Sequence, residues 1–403
     1  MTMKSNAGDE FFATMGLRPI INAASHASRL GGTRLAQPVV DAMVAASQTF
    51  VPIAEMQARA SELIAEFTGA EAGCVASGAD ACLTLAAAAC MTGDSRAAMD
   101  QLPDTTGLPN EIVVHRAHRM AFDHALRLAG ARLVEFGYLT TSSGVGAYRW
   151  QMEAAFSEKT AASFYVGLKS DSALDFKTFA EISHSRGIPV IVDAAPTQVP
   201  PENFRRWIEL GADLVACAGG KFIGGPAATG FLAGRRDLVR AAALQQQDAF
   251  IHPAVYTEPF GGDEGASEPP HQGIGRVLKV GREELAGLMA ALRLCASRDY
   301  AEERRQRIAI SERLSQAINA RRFPGVTVQS DDLANSITIV FEDARHAAQT
   351  VRELQEGAPR VFVLNARIGL GEILVLPHCV SAAEIAALEA RLLASIEVAT
   401  AAR

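Results

Sequence analysis

The sequence predicts an α/β protein: a mainly parallel central sheet covered by helices on both faces, followed by a smaller α+β domain. Three observations carry this. Between residues 73 and 233, short apolar runs alternate with amphipathic stretches of helical length, the pattern of successive βαβ units. The apolar runs are continuous rather than alternating, as strands buried on both faces require. The chain has 403 residues with 49% hydrophobic and 21% charged, enough to bury two cores and typical of an ordered globular protein.

Taken in order, residues 7–17 predict a short helix and 19–24 an extended segment. Helical stretches follow at 36–48 and 54–68, the second stopped by Gly69. Strand runs are expected at 73–76, 111–114, 132–136, 162–166, 189–192, 214–217 and 230–233. Helices at 80–92, 117–129, 149–157, 175–186 and 202–209 separate most of them. Residues 246–275 are rich in Gln, Gly, Pro and Glu; such a long connection is either a solvated excursion or an active-site lid. A helix at 277–297 then leads to a small domain with helices at 300–321 and 382–397 and strands at 336–341, 361–364 and 373–376. The expected division is an N-terminal segment at 1–50, a large domain at 51–275, and a linking helix with the small domain at 276–403.

A net charge of −7 with scattered basic residues gives no electrostatic footprint for nucleic acid or an anionic membrane. No apolar run reaches the length of a membrane span, and the first residues carry no apolar signal core. The six cysteines have no CxxC pair and no zinc-ligand spacing, so no metal is expected. Buried free thiols and a cytoplasmic setting are.

Two residues carry the chemistry. Asp193 closes the apolar run Ile188-Pro189-Val190-Ile191-Val192, and Lys221 follows the next run within Gly219-Gly220-Lys221. Both fall at carboxyl ends of strands, where open α/β sheets bind ligands. A strand-terminal carboxylate can hold a pyridinium nitrogen protonated, and a lysine on a tight glycine turn can form a Schiff base. Together they call for pyridoxal 5'-phosphate (PLP). Taken singly, each is a common residue of a solvated loop.

Ser77-Gly78-Ala79-Asp80 joins a strand to a helix, and open amides at a helix N-terminus form an anion site. The alternative is a simple N-cap by Ser77 or Asp80. His115-Arg116-Ala117-His118-Arg119 follows another strand. An imidazole there can stack on a flat ring, and His118 is the better candidate because His115 still belongs to the strand. Arg367 in the small domain is a candidate for a substrate carboxylate, against the alternative of a surface arginine, with Arg29, Arg34 and Arg276 as rivals.

These motifs resemble fold type I PLP enzymes (the aspartate aminotransferase fold) of the selenocysteine-synthase-like group. The matching blocks are Ile21-Asn22-Ala23, Leu30-Gly31-Gly32-Thr33-Arg34, Thr68-Gly69-Ala70-Glu71-Ala72, Ser77-Gly78-Ala79, Asp193-Ala194-Ala195, Gly219-Gly220-Lys221 with Gly225-Pro226, and Gly273-Ile274-Gly275-Arg276 with Lys279-Val280-Gly281. The resemblance implies Lys221 as the Schiff-base lysine and Asp193 as the ring-nitrogen partner. It implies Ser77, Gly78 and Ala79 on the phosphate, His118 on the ring, and Ala195 and Gly220 lining the cofactor. It also implies a homodimer or higher homo-oligomer, with the segment holding His26, Ser28 and Arg29 near the substrate. The chain departs from the pattern at Ser25-His26-Ala27-Ser28, at Ala227-Ala228-Thr229, and at Ala218, where relatives carry a serine that can touch phosphate.

The expected reaction is lyase chemistry on an amino acid or amino sugar acid: Lys221 removes the Cα proton, and β-elimination yields a keto acid and ammonia. Racemisation, epimerisation or aldol cleavage are alternatives from the same start, and a non-catalytic PLP-fold protein is a third.

Overall fold

Strands form where Val, Ile, Phe and Ala recur in short runs between turn residues. The computed structural model describes residues 7–139, 146–168, 173–247, 251–256, 258, 272–331 and 335–401. Most of the predicted 246–275 loop lies outside the described residues.

The described strands are β1 (Ile20–Ala23), β2 (Ala72–Ala76), β3 (Glu111–His115), β4 (Arg132–Phe136), β5 (Thr160–Val166), β6 (Val190–Asp193), β7 (Leu214–Ala218), β8 (Gly230–Gly234), β9 (Val326–Asp331), β10 (Ser336–Phe341), β11 (Arg360–Val363) and β12 (Glu372–Val375). Two compact units result: Leu35–Arg298, and Met1–Arg34 with Asp299–Arg403.

In the large unit seven strands form one sheet in the order β2-β8-β7-β6-β5-β3-β4. All neighbours are parallel except β8, which runs antiparallel to β2 and β7. Successive strand residues serve opposite faces: Ile112 and Val114 join one core, Val113 the other, which is why the runs read as continuously apolar. The helix Ala79–Thr92 lies on one face, and Ala86, Ala87, Ala88 and Ala89 are fully buried. Its small side chains suit a helix buried all round.

The predicted helix over 117–129 is broken. Short 3-10 turns at Arg116–His118 and Ala121–Asp123 precede a helix at His124–Leu128. The His115 ring takes the Ala117 amide (3.0 Å) and Asp123 Oδ1 takes the Met120 amide (3.3 Å); side-chain acceptors thus compete with helical bonding.

In the small unit β1 pairs parallel with β11, and β12-β10-β9 form an antiparallel sheet. Ile21, Ile337, Ile339, Val361, Ile373, Leu388 and Leu392 share its core. The boundaries therefore fall after residues 34 and 298 instead of after 50 and 275. The pairing of β1 with β11 draws the first residues into the small unit's sheet, and the helix Arg282–Cys295 buries Leu285, Leu288 and Leu292 in a large-unit core. Sequence reading also missed β9 and the helix Ala344–Glu356, which Asp343 caps at the Arg345 amide (2.8 Å).

Candidate active site

The large unit's candidate residues follow the carboxyl ends of parallel strands of one sheet: Ser77 to Asp80 after β2, His118 after β3, Asp193 closing β6 and Lys221 after β7. Here the sheet's exposed backbone ends and the first turn of the Ala79–Thr92 helix converge.

Lys221 sits in a turn closed by the Gly225 amide donating to the Gly219 carbonyl (2.9 Å). The flanking glycines are required by close packing. A Cβ on Gly220 would lie 2.5 Å from Ala227 Cα, and one on Gly219 would lie 2.8 Å from Leu288 Cδ1. Of the turn's glycines only Gly224, at φ 85°, needs the left-handed region. Arg298 Nη1 and the Cys295 thiol donate to the carbonyls of Phe222 (2.9 Å) and Ile223 (3.2 Å), bracing the turn from behind. The Lys221 amine donates to the Ala195 carbonyl at 3.4 Å.

Asp193 is 5% exposed, and its Oδ1 accepts the Ala195 amide at 2.9 Å. Burial pushes its carboxyl above the usual range, opposed by the Ala195 amide and the Lys221 charge. Such a desolvated acid is matched by a cationic N–H partner.

His118 is 2% exposed and packs edge-on to Tyr165, ring centroids 4.3 Å apart. Neither of its ring nitrogens has a hydrogen-bond partner among the described residues. Burial, reinforced by His115, lowers its pKa to about 4, so the ring is neutral at physiological pH. The flanking Arg116 and Arg119 both pair with Glu135, and Arg119 also with Asp123.

Of the amides expected to face an anion, two are taken within the protein. The Ser77 amide donates to the Leu278 carbonyl (3.0 Å) and the Gly78 amide to the Ala76 carbonyl (2.8 Å). The amides of the open first helical turn are those of Ala79, Asp80 and Ala81. Gly78, at φ 99°, has nothing within 4 Å of where a Cβ would point, so space remains above the turn. Ala218 has no hydroxyl, and the nearby Thr229 hydroxyl is committed to the Pro226 carbonyl (2.7 Å). PLP fits this set: a buried acid for the ring nitrogen, an unpartnered imidazole, a lysine held by a carbonyl, and open amides beneath free space.

Within the small unit, His26 Nδ1 lies 3.0 Å from Ser25 Oγ and its ring 5.7 Å from that of His378. Ser25 occupies the left-handed region at φ 59°, held by Asn22 Nδ2 donating to its carbonyl (2.9 Å). Ser28 and Arg29 begin a 3-10 turn ending at Leu30. The Arg367 guanidinium is committed to Glu372, at 2.9 and 3.1 Å. Sequence reasoning assigned Asp80 only a capping role; its charge interacts with both Lys221 and Asp193. The signal was its position, one residue beyond the anion motif.

The sheet order, its single antiparallel strand and the lysine after β7 define the fold type I architecture. No family model matches the chain. It is similar to 5'-C-glycyluridine monooxygenase-decarboxylase of a Streptomyces species, 29% identical over 91% of this chain and 87% of that protein. It is equally similar to D-glucosaminate-6-phosphate ammonia lyase of Salmonella typhimurium, 29% identical over 94% and 96%. A solved structure of a D-glucosaminate-6-phosphate ammonia lyase superposes with a TM-score of 0.78, at 28% identity over 98% of this chain and all of that one. L-seryl-tRNA(Sec) selenium transferase of Serratia proteamaculans is 25% identical over 75% of this chain and 62% of its own length. The chain therefore resembles the ammonia lyase along nearly its whole length and the selenium transferase over three quarters of it.

Proposed function

We propose that the chain is a PLP-dependent lyase acting on an amino acid or amino sugar acid, releasing ammonia and a keto acid. The observation that carries this is the placement of buried Asp193 at the end of β6 and of Lys221 just after its neighbour β7. The similarity to an ammonia lyase, over nearly the full length of both chains, supports the reaction class.

When bound, PLP supplies an electron sink for charge developing at Cα. Asp193 holds the ring nitrogen, and neutral His118 offers a flat face to the ring. The open amides of Ala79, Asp80 and Ala81, with the Ser77 hydroxyl, hold the phosphate; Ala195 and Gly220 line the site. Lys221 would hold the cofactor and, once freed by substrate, its amine would take the Cα proton. Loss of a β-hydroxyl as water, followed by hydrolysis of the released enamine, would give the keto acid and ammonia. For the substrate we propose His26, Ser28 and Arg29, with Arg367 engaging it only by exchanging its Glu372 partner. We further propose a cytoplasmic homodimer or higher homo-oligomer. Exposed Phe50, Val51 and Ile53 support self-association, and light scattering tests it.

The test is spectroscopic, then chemical. Purified protein incubated with PLP turns yellow, and Lys221→Ala loses that absorbance while keeping its fold. A wild type that stays colourless with added PLP refutes the reading. D- and L-amino acids and amino sugar acids are then assayed for ammonia, keto acid and loss of optical activity. Racemisation without ammonia removes the lyase assignment. The equal similarity to a decarboxylase makes carbon dioxide the second product to measure.

A further inference from the structure

Three segments that carry the site meet behind it on one side chain, the Trp207 indole of the helix Glu202–Glu209. The first follows β5. There the Gly167 amide donates to the Asp193 carbonyl (2.8 Å), and a Cβ on Gly167 would lie 3.0 Å from Trp207 Cζ2, so the indole fills the space a side chain would take. The second follows β6. Trp207 Nε1 donates to the Thr197 hydroxyl (3.1 Å), and the Thr197 amide closes a turn on the Ala194 carbonyl (2.9 Å). Ala195 lies inside that turn and serves both chemical residues. Its amide donates to Asp193 Oδ1 (2.9 Å), and its carbonyl accepts the Lys221 amine (3.4 Å). The third is Tyr165, whose ring centroid lies 6.3 Å from that of Trp207 and 4.3 Å from that of His118.

We propose that Trp207, through Thr197, is a positioning residue for Asp193 and Lys221. This rests on the PLP reading above. Groups that act on a ligand must be held within about 0.5 Å of their working geometry by neighbours that are themselves locked. The indole is rigid and carries a single donor, and that donor is spent on the turn from which Ala195 holds both the acid and the lysine. With the Trp207 bond to Thr197 gone, the Ala195 amide and carbonyl lose their fixed place, and the Asp193 carboxylate drifts from the ring nitrogen it must meet.

The experiment measures equilibrium binding of two probes, PLP and its analogue with carbon in place of the ring nitrogen. The proteins are wild type, Trp207→Phe, Thr197→Val and Thr197→Ser, each melted to establish that it is folded. Wild type prefers PLP, because only PLP offers Asp193 a ring nitrogen. Trp207→Phe and Thr197→Val both remove the indole hydrogen bond. Each weakens the analogue, whose link to Lys221 is also loosened, and weakens PLP about two- to tenfold further, the worth of one hydrogen bond. Thr197→Ser keeps the hydroxyl and keeps the wild-type preference. If Trp207 only fills the fold, Trp207→Phe and Thr197→Val lower Tm and weaken both probes equally; that result overturns the proposal. A wild type that prefers PLP, with variants that retain the full preference, overturns this role alone. A wild type that binds neither probe refutes the cofactor reading, and this role with it.

Discussion

Gly230→Ala offers a direct test of how the sheet builds the phosphate cradle. Gly230 opens β8 and pairs with Ala76 on one side and Ala218 on the other. A Cβ added there would lie 2.6 Å from the Gly78 carbonyl oxygen and 2.7 Å from the Ala79 amide nitrogen. Both are backbone atoms, and both fall nearly 1 Å inside the ~3.5 Å at which nonbonded atoms rest. No side chain can rotate away, so the Ser77 to Ala79 turn must move. Overpacking of this kind costs about 1–3 kcal/mol, which for a unit of this size lowers Tm by about 2–12 °C. Moving the first-turn amides weakens their charge-assisted bonds to phosphate, and losing one such bond weakens PLP binding by about tenfold. The assay pairs thermal melting with a PLP titration, using Gly369→Ala as control. Gly369 is exposed with nothing within 4 Å of its Cβ direction, so that change stays within about 0.5 kcal/mol. A Gly230→Ala protein with wild-type Tm and wild-type PLP affinity refutes the reasoning.

Three further outcomes follow from buried charge. Asp193→Asn abolishes activity yet raises the apo protein's Tm at neutral pH. The native carboxyl titrates above its unfolded value, so its ionisation opposes folding at high pH. The gain shrinks as pH falls through the native pKa, and a pH series of melts reads it. His118 and His378 each have a native pKa lowered from 6.5 to about 4, mainly by burial. Each stabilises fully above 6.5 and loses that contribution as pH falls toward 4, on the order of 2–3 kcal/mol. His118→Phe flattens this acid limb for the large unit, and an unchanged limb counts against the buried neutral ring. In the small unit, Glu384 accepts two bonds from Arg34 (3.0 and 3.2 Å) and the Ser381 amide (2.8 Å). Those partners hold its carboxyl below the usual range, so Glu384→Gln lowers Tm at neutral pH, with the deficit vanishing in acid. A deficit that persists in acid refutes the charge assignment.

Much of the large unit was legible because its strands are buried on both faces. The runs at 73–76, 214–217 and 230–233 fall within β2, β7 and β8, since a continuous apolar run between turn residues has few other folds. The 117–129 helix misled because its apolar spacing was sound while its amides were taken by His115 and Asp123, a competition that spacing does not reveal. The helix Ala344–Glu356 was missed although Asp343 marks its start. In the candidate site, Asp193 and Lys221 were visible as chemistry. The commitment of the Ser77 and Gly78 amides was not, because one of their acceptors, Leu278, lies 201 residues away.

The sequence by itself determined the α/β class, the acid and the lysine at strand ends, and the small-residue turn before the Ala79–Thr92 helix. Local periodicity and residue chemistry suffice for these. Only the tertiary structure decided which strands are neighbours, and therefore that the segments carrying Asp80 and Lys221 leave the sheet from strands separated only by β8. It decided that the glycines around Lys221 make room for Ala227 and Leu288, and that β1 belongs with β11. It also decided that His118 stands buried with neither nitrogen partnered among the described residues. Each of these depends on contacts between residues far apart in the chain, where local sequence exerts no constraint and packing alone selects the arrangement.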